Sequence, residues 1–341
     1  MSKLHPVVAV TGSSGAGTST VKRAFEHIFA RESITPAVVE GDSYHRFERM
    51  EMKKAMAEAL SKGENFSHFG PEANLFDKLE ELFKVYGETG GGQKRYYLHS
   101  GEEAAEHNAR LGVDLNPGQF TPWEDIPGGT DLLFYEGLHG GVVGDSYDVA
   151  AQADLLVGVV PITNLEWIQK IHRDNAERGY SAEAIVDTIL RRMPDYINHI
   201  CPQFSRTDIN FQRVPTVDTS NPFICRNIPT PDESFVIIHF RKGAREKWGI
   251  DFNYLLSMIH DSFMSSPTSI VVNGGKMGFA MELILTPIIH SMIEEKKKLV
   301  LYRIQLMTQE EQLIKQRNPQ AAPEILQQQR KTSPCKPTLP S

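Results

Sequence analysis

A short apolar run, a glycine-rich turn and an amphipathic segment follow one another at the start of the chain, and this order strongly restricts the possible folds. Residues 6–11 (PVVAVT) are a run of mainly apolar residues, of the kind that forms a buried parallel strand. Apolar side chains then recur at helical spacing in residues 19–30, at Val21, Phe25, Ile28 and Phe29. A strand that passes through a tight turn into a helix is the repeating unit of α/β folds.

The turn itself matches a phosphate-binding loop with one substitution. Residues 12–19 (GSSGAGTS) meet the pattern G-x-x-x-x-G-K-[ST] except at the lysine, where Thr18 stands. Closely spaced glycines let backbone N–H groups converge on phosphates, and the helix adds its positive N-terminal end. A chance glycine turn is the alternative. The pattern predicts ATP contacts from Gly12, Ser13, Ser14, Gly15, Ala16, Gly17, Thr18, Ser19 and Thr20, with the Ser19 hydroxyl on Mg²⁺.

Composition narrows the class of protein further. The formal net charge of −7 gives no basic footprint for nucleic acid, so we expect no nucleic-acid partner. No run of 18 apolar residues occurs, so we expect no membrane partner. Three scattered cysteines suggest a reducing compartment, and we expect a cytoplasmic protein.

The composition also changes along the chain. From Glu294 a lysine run precedes a possible amphipathic helix and then a stretch rich in proline and glutamine. We therefore predict one catalytic domain over residues 1–293, a helical extension over 294–317 and a disordered tail over 318–341.

Further apolar runs predict the rest of the sheet. Residues 37–40, 131–135 and 154–160 are short strands separated by helical patterns, and 235–240 and 269–272 are plausible additional strands. This alternation predicts an α/β fold with a mostly parallel sheet, whose ligands bind at the carboxyl ends of the strands.

Two carboxylates follow predicted strands at that edge. Asp42 is the candidate general base, because a hydroxyl nucleophile must lose its proton as it attacks phosphorus. Glu136 is the candidate Mg²⁺ partner, since Mg²⁺ prefers oxygen ligands. The alternatives are a turn aspartate and a helix-capping glutamate. His45 and Arg49, placed one and two helical turns after Gly41, could hold an anionic second substrate, although each alone is more often a surface residue.

The absent loop lysine directs attention to residues 164–178, where Asn164 can cap a helix. Side chains on one face of this helix recur at spacings of three and four: Lys170, Arg173, Asp174, Glu177 and Arg178. A solvated face of ion pairs is the alternative. Because the helix follows a predicted strand, we expect Lys170 or Arg173 to supply the missing cation.

Several segments together resemble the bacterial phosphoribulokinases over roughly residues 4–293. The segments that carry the resemblance are residues 10–18, 39–45, 69–74 (FGPEAN), 134–141 (FYEGLHGG), 164–170 (NLEWIQK) and 216–223 (TVDTSNPF). Bacterial members also carry threonine in place of the loop lysine. The resemblance implies a mixed, mostly parallel sheet flanked by helices, like that of P-loop nucleoside-monophosphate kinases, with a helical lid.

The resemblance also implies an activity: transfer of the ATP γ-phosphate to the 1-hydroxyl of ribulose 5-phosphate, giving ribulose 1,5-bisphosphate for carbon fixation. Asp42 would be the general base, and Glu136 and Asp174 would serve Mg²⁺ and the phosphoryl centre. Lys170 would replace the loop lysine, and Arg173 would support catalysis. Contacts to the sugar phosphate would come from His45, Arg49, His99 and Arg178.

The resemblance further implies a homo-oligomer that NADH activates and AMP inhibits. Arg31 and Arg241 match positions tied to that control. Two alternatives remain: a nucleoside kinase of the uridine-kinase type, and a nucleotide-binding regulator that lost catalysis with its lysine. The basic set around Asp42 favours a phosphorylated substrate over a nucleoside, and an intact candidate base argues against the regulator.

Overall fold

Eight strands form one mixed sheet in the computed structural model, which describes residues 4–12, 18–160 and 162–317. In chain order its strands, together with a separate two-stranded pair (β3 and β4), are β1 Val7–Gly12, β2 Pro36–Glu40, β3 Gln93–Lys94, β4 Glu124–Asp125, β5 Leu132–Gly137, β6 Leu155–Val160, β7 Ile209–Pro215, β8 Ser234–Phe240, β9 Phe263–Ser266 and β10 Ser269–Asn273.

The strand order across the large sheet is β2-β5-β1-β6-β7-β8-β10-β9. The strands from β2 to β7 in this order are parallel, and β8, β10 and β9 then alternate in direction. Val8 of β1 lies opposite Phe134 on one side and Leu155 on the other, so β1 occupies an interior position. The predicted α/β class with a mostly parallel, mixed sheet is confirmed, whereas β7 and β9 were not predicted.

Helices cover both faces of this sheet. They are α1 Thr18–Arg31, α2 Arg49–Ser61, α3 Phe76–Thr89, α4 Gly101–Leu111, α5 Thr163–Arg178, α6 Ala182–Asp195, α7 Ala244–Trp248, α8 Phe252–Met258 and α9 Met277–Arg317. Alternate residues of β1 serve the two layers: Val8 and Val10 belong to the core shared with α1, α8 and α9, and Val7 and Ala9 to the core shared with α3. Burial on both faces explains why β1 is uniformly apolar.

The last helix contributes to the core and then continues beyond it. Side chains of α9 are buried as far as Ile293, and from Leu301 onward large apolar side chains such as Leu306 and Leu313 are exposed. Lys296 ties the start of the continuation to the domain by donating to the carbonyl oxygens of Thr130 and Asp131. The predicted tail over 318–341 lies outside the described residues.

One segment of the described chain, Gly274–Ile314, is long and apolar enough to cross a membrane by length and composition. Half of its most apolar stretch is buried inside the fold. Packing of α9 against the sheet therefore accounts for this apolar character.

Two glycines let the ends of β2 and β5 approach each other closely. A Cβ atom built on Gly41 would lie 2.8 Å from Gly137 Cα and 2.6 Å from the Tyr135 hydroxyl, and one on Gly137 would lie 2.7 Å from Gly41 Cα. Such distances leave no room for a side chain at either position. Because Asp42 follows the first glycine and Glu136 precedes the second, this contact determines where both carboxylates lie.

We expect Gly41→Ala to destabilise the protein by about 1–3 kcal/mol, since an added methyl group must push the two strand ends apart. Urea unfolding measures this change. Gly101→Ala is the matched control, because nothing lies within 4 Å of a Cβ at that position. A Gly41→Ala variant as stable as the Gly101→Ala variant would contradict the packing argument.

Candidate active site

The candidate site lies at the carboxyl edge of the parallel strands, where β1, β2 and β5 end side by side. In register, Glu136 pairs with Val10 of β1 on one side and with Glu40 of β2 on the other. Residues 13–17 of the predicted phosphate loop, and the side chains of Thr18 and Ser19, lie outside the described residues. Gly12 ends β1, and Thr20 is exposed in the first turn of α1.

Glu136 occupies an environment that disfavours its charge. Burial and, to a smaller extent, the neighbouring Glu40 raise its pKa to about 7, although Lys22 opposes them. Lys22 Nζ lies 4.0 Å from Glu40 Oε1. A carboxylate held close to its protonation point at neutral pH binds a cation more readily than a second proton-bearing group would, because a nearby positive charge favours the ionised form.

Asp42 has the opposite surroundings. It lies in a 3-10 helix, Gly41–Tyr44, and its Oδ1 is 3.2 Å from His45 Nε2 while its Oδ2 is 3.6 Å from His99 Nε2. Burial raises the pKa of Asp42, but the hydrogen bond from His45 and the charges of His45, His99 and His68 outweigh it, so the pKa lies below its ordinary range. The carboxylate is ionised at neutral pH.

Arg49 joins the same group of side chains from the start of α2. Its Nη2 donates to the His99 carbonyl oxygen at 3.2 Å, and its guanidinium lies 5.9 Å from the centre of the Tyr97 ring. The predicted helix running on from Gly41 is wrong: the chain leaves its 3-10 turn, passes through an extended segment and enters α2 only at Arg49. The predicted grouping of Asp42, His45 and Arg49 is nevertheless present, together with His99.

The predicted cationic helix is α5, and its cations converge on one buried carboxylate. Lys170 Nζ donates to Asp174 Oδ2 at 2.6 Å, and Arg173 Nε donates to Asp174 Oδ1 at 3.1 Å. Burial lowers the pKa of Lys170, and Asp174 opposes this shift. The side chain of Arg178 lies outside what the structure describes.

The predicted cap of this helix is wrong. α5 begins at Thr163, so Asn164 lies within its first turn, and its side-chain amide instead donates to the Thr219 carbonyl oxygen at 2.9 Å. With α6, α5 forms an apolar cluster separate from the two sheet cores, built on Ile171, Ile185 and Ile189. This separate packing is what a lid requires.

Two residues that support the site were not predicted. Arg95 is stacked between the rings of Phe120 and Trp123, and its Nε and Nη2 donate to the Ser43 and His45 carbonyl oxygens at 2.8 and 2.6 Å. It therefore holds the segment that carries Asp42 on both sides. Burial lowers its pKa to about 10, so it keeps its charge. Nothing in the sequence signals this role, because both acceptors are backbone atoms.

Gln203 is the second such residue, and it is almost fully buried. Its Oε1 accepts from the Thr11 hydroxyl and the Gly141 amide at 2.9 and 3.0 Å. Its Nε2 donates to the carbonyl oxygens of Leu138 and His199 at 2.9 and 2.8 Å. One amide thus connects the end of β1, the turn after β5 and the segment that follows the lid.

Four further residues have partners away from Asp42. His139 donates through Nε2 to the His68 carbonyl oxygen, and burial lowers its pKa to about 3; His172 contacts the Cys225 carbonyl oxygen. Arg31 bonds Glu282 and Thr286 of α9, and Arg241 bonds the Asp208 carboxylate at 2.6 Å. The two arginines thus lie apart from the Asp42 group in their contacts.

Within residues 4–12, 18–160 and 162–317, no group of three or more His, Cys, Asp or Glu side chains is arranged to hold a metal ion. This fits Mg²⁺, which proteins commonly bind through one or two carboxylates while substrate phosphates and water complete its shell. Glu136, beside the phosphate loop, is such a carboxylate.

Comparison with known proteins places this arrangement in a family. The family model described as phosphoribulokinase / uridine kinase matches residues 7–220. The chromosomal phosphoribulokinase of Cupriavidus necator is 62% identical over 299 residues, 87% of this chain and 99% of that protein. The phosphoribulokinase of Nitrobacter vulgaris is 60% identical over 299 residues, 87% of this chain and 100% of that protein.

A solved structure gives the same result for the fold. The phosphoribulokinase from Rhodobacter spheroides superimposes with a TM-score of 0.77 at 55% identity, covering 87% of this chain and 100% of that one. The predicted resemblance is confirmed over nearly the whole length of these relatives. The chain belongs to the phosphoribulokinase and uridine kinase family, and within it to the phosphoribulokinases.

Proposed function

We propose that this kinase transfers the γ-phosphate of ATP to the 1-hydroxyl of ribulose 5-phosphate, giving ribulose 1,5-bisphosphate and ADP. The observation that carries the proposal is the ionised Asp42 carboxylate, flanked by His45 and His99 and close to Arg49 at the carboxyl edge of the sheet. A carboxylate base surrounded by cationic groups suits a hydroxyl nucleophile that carries its own phosphate.

Asp42 acts as the base in this reaction. The substrate oxygen attacks the γ-phosphorus, the bond from that phosphorus to the bridging oxygen of ADP breaks, and the hydroxyl proton passes to Asp42 Oδ2. Oδ1 is occupied by the His45 ring, so Oδ2 is the oxygen that faces the substrate. His45, Arg49, His99 and Arg178 bind the sugar phosphate.

The lid supplies the positive charge that Thr18 does not. Lys170 and Arg173 lie on adjacent turns of α5, and Asp174 holds both in a fixed geometry. Fixed cations stabilise the charge on the transferred phosphoryl group without reorganising during the step. When bound, Mg²⁺ would neutralise phosphate charge; Glu136, Asp174 and the Ser19 hydroxyl are the residues proposed to serve it.

Regulation and setting complete the proposal. The protein is a cytoplasmic homo-oligomer that NADH activates, with Arg31 and Arg241 in the control site. A uridine-kinase-like activity is the second candidate, because the matching family model includes uridine kinases. The cationic group around Asp42 disfavours it, since a nucleoside offers no anion to bind.

The activity is tested by ADP release from Mg-ATP with ribulose 5-phosphate or with uridine as acceptor. We expect Asp42→Asn to lower kcat on the order of 10²–10⁴-fold, the usual contribution of a general base. ATP binding, measured by calorimetry, should remain intact. Turnover with uridine alone would overturn the proposed substrate, and a decrease in kcat below about tenfold would remove Asp42 as the base.

Lys170→Met should lower kcat on the order of 10²–10³-fold with little change in the KM for ribulose 5-phosphate, because the ammonium acts on charge that develops in the transition state. Lys54→Met is the matched control: that lysine also faces a carboxylate four residues on, Glu58, but is exposed on α2. A change confined to KM would assign Lys170 to ground-state binding.

Glu136→Gln should separate stability from activity. Ionisation of Glu136 costs the folded state free energy, because its pKa of about 7 exceeds the ordinary 4.5. This cost is absent below about pH 4.5 and complete above about pH 7. Without Mg²⁺ or ATP, the variant should be more stable than the wild type at pH 8 by about 1–3 kcal/mol, a difference that shrinks toward pH 5.

The same variant should lose most of its activity, since an amide binds Mg²⁺ more weakly than a carboxylate. Urea unfolding at several pH values and the ADP assay measure the two effects. Equal stability of variant and wild type at pH 8 would show that Glu136 carries no raised pKa in the folded protein.

A further inference from the structure

Asn74 has its side-chain amide fixed in one orientation beneath the Asp42 group. The residue is 2% exposed, and its Nδ2 donates to the carbonyl oxygens of His68 and Gly70 at 2.9 and 2.7 Å. Both acceptors are carbonyl groups, so only the NH₂ end of the amide can face them. The amide oxygen therefore points the other way, toward His45.

That orientation determines which proton His45 carries. Asn74 Oδ1 lies 2.7 Å from His45 Nδ1, and because Oδ1 only accepts, Nδ1 must bear the hydrogen. The other ring nitrogen, Nε2, lies 3.2 Å from Asp42 Oδ1. With Nδ1 already protonated and a carboxylate opposite Nε2, a second ring proton makes the imidazole a cation paired with Asp42.

We propose that Asn74 is a positioning residue: by accepting the Nδ1 proton of His45 it keeps that ring cationic, with its Nε2–H directed at the Asp42 carboxylate. Asn74 touches neither substrate nor nucleotide in this scheme. It acts through His45, which adds positive charge for an anionic substrate and holds Asp42 ionised. This role rests on the proposed function for its effect on substrate binding, but its effect on His45 stands without it.

The charged and titratable groups around His45 are consistent with this cation. Burial alone lowers the pKa of His45; the hydrogen bond and charge of Asp42, with the bond to Asn74, outweigh burial and raise it, while Arg95 opposes. The His68 ring lies 4.8 Å from the His45 ring, and burial lowers its pKa to about 3. His139 is neutral for the same reason, and His99 faces the other oxygen of Asp42. His45 is thus the buried ring of this cluster that holds the charge.

Two substitutions separate positioning from simple structural support. Asn74→Asp and Asn74→Leu both remove the donors to His68 and Gly70, so both lose the same structural contacts. Only Asn74→Asp keeps an oxygen acceptor opposite His45 Nδ1. In full-length ¹⁵N-histidine-labelled protein, we expect the NMR titration midpoint of His45 to fall in Asn74→Leu and to stay at or above the wild-type value in Asn74→Asp. The spectrum of a His45→Gln variant assigns the resonance.

Activity gives the second readout. The kcat/KM for ribulose 5-phosphate should decline as pH rises through the His45 pKa, because the site then loses a positive charge. In Asn74→Leu this decline should begin at lower pH, giving about a tenfold loss at pH 7.5 relative to Asn74→Asp. Asn108→Leu is the control for losing a bonded amide, since Asn108 bonds only Leu115 in the turn after α4; its pH profile should match the wild type.

The outcomes are distinct. Equal His45 midpoints in Asn74→Leu and Asn74→Asp would overturn the positioning role. If neither variant folds, wild-type ¹⁵N shifts decide the matter: protons on both ring nitrogens of His45 at pH 7 support the proposal, and an unprotonated Nδ1 overturns it. A wild type that shows the expected His45 titration but no turnover with ribulose 5-phosphate would contradict the proposed function alone.

Discussion

The contact between Gly41 and Gly137 is the constraint on which the candidate site depends. Parallel strands bring their carboxyl ends to one edge, but ordinary spacing would leave room for side chains between β2 and β5 at that edge. Here the two glycines bring backbone against backbone, with the Tyr135 hydroxyl packed beside them. Asp42 and Glu136 leave this contact in different directions, one toward the histidines and one toward Glu40.

The substitution of threonine for the loop lysine moves a catalytic requirement from a fixed strand end to a lid. A lysine in the loop would be positioned by the sheet, whereas Lys170 depends on α5 and on the small apolar cluster that α5 shares with α6. Asp174 compensates by holding Lys170 and Arg173 from both sides of one carboxylate. Gln203 adds a second connection, because its amide bonds the end of β1 and the segment after the lid.

Much of the fold was predictable because the central strands are buried on both faces and are uniformly apolar. β7 escaped prediction because polar residues interrupt its apolar ones, and β9 because it has only four residues at the sheet edge. The positions of Asp42 and Glu136 followed from strand ends. His99 came from the resemblance alone, since it reaches Asp42 through a pairing of distant segments. The role of Arg95 could not be predicted, because its acceptors are backbone carbonyl oxygens.

The two carboxylates show how packing rather than sequence assigns chemical roles. Both follow short apolar strands, and each is a candidate for either base or metal partner by residue type. Asp42 receives hydrogen bonds and positive charge from buried and half-exposed imidazoles, which lower its pKa and keep it ionised. Glu136 receives burial and a like charge, which raise its pKa to about 7 and leave it in need of a cation. When environments push two acid groups in opposite directions, their roles separate. The histidines are therefore part of this assignment as well as candidates for substrate binding, and Asn74 makes His45 able to serve both purposes.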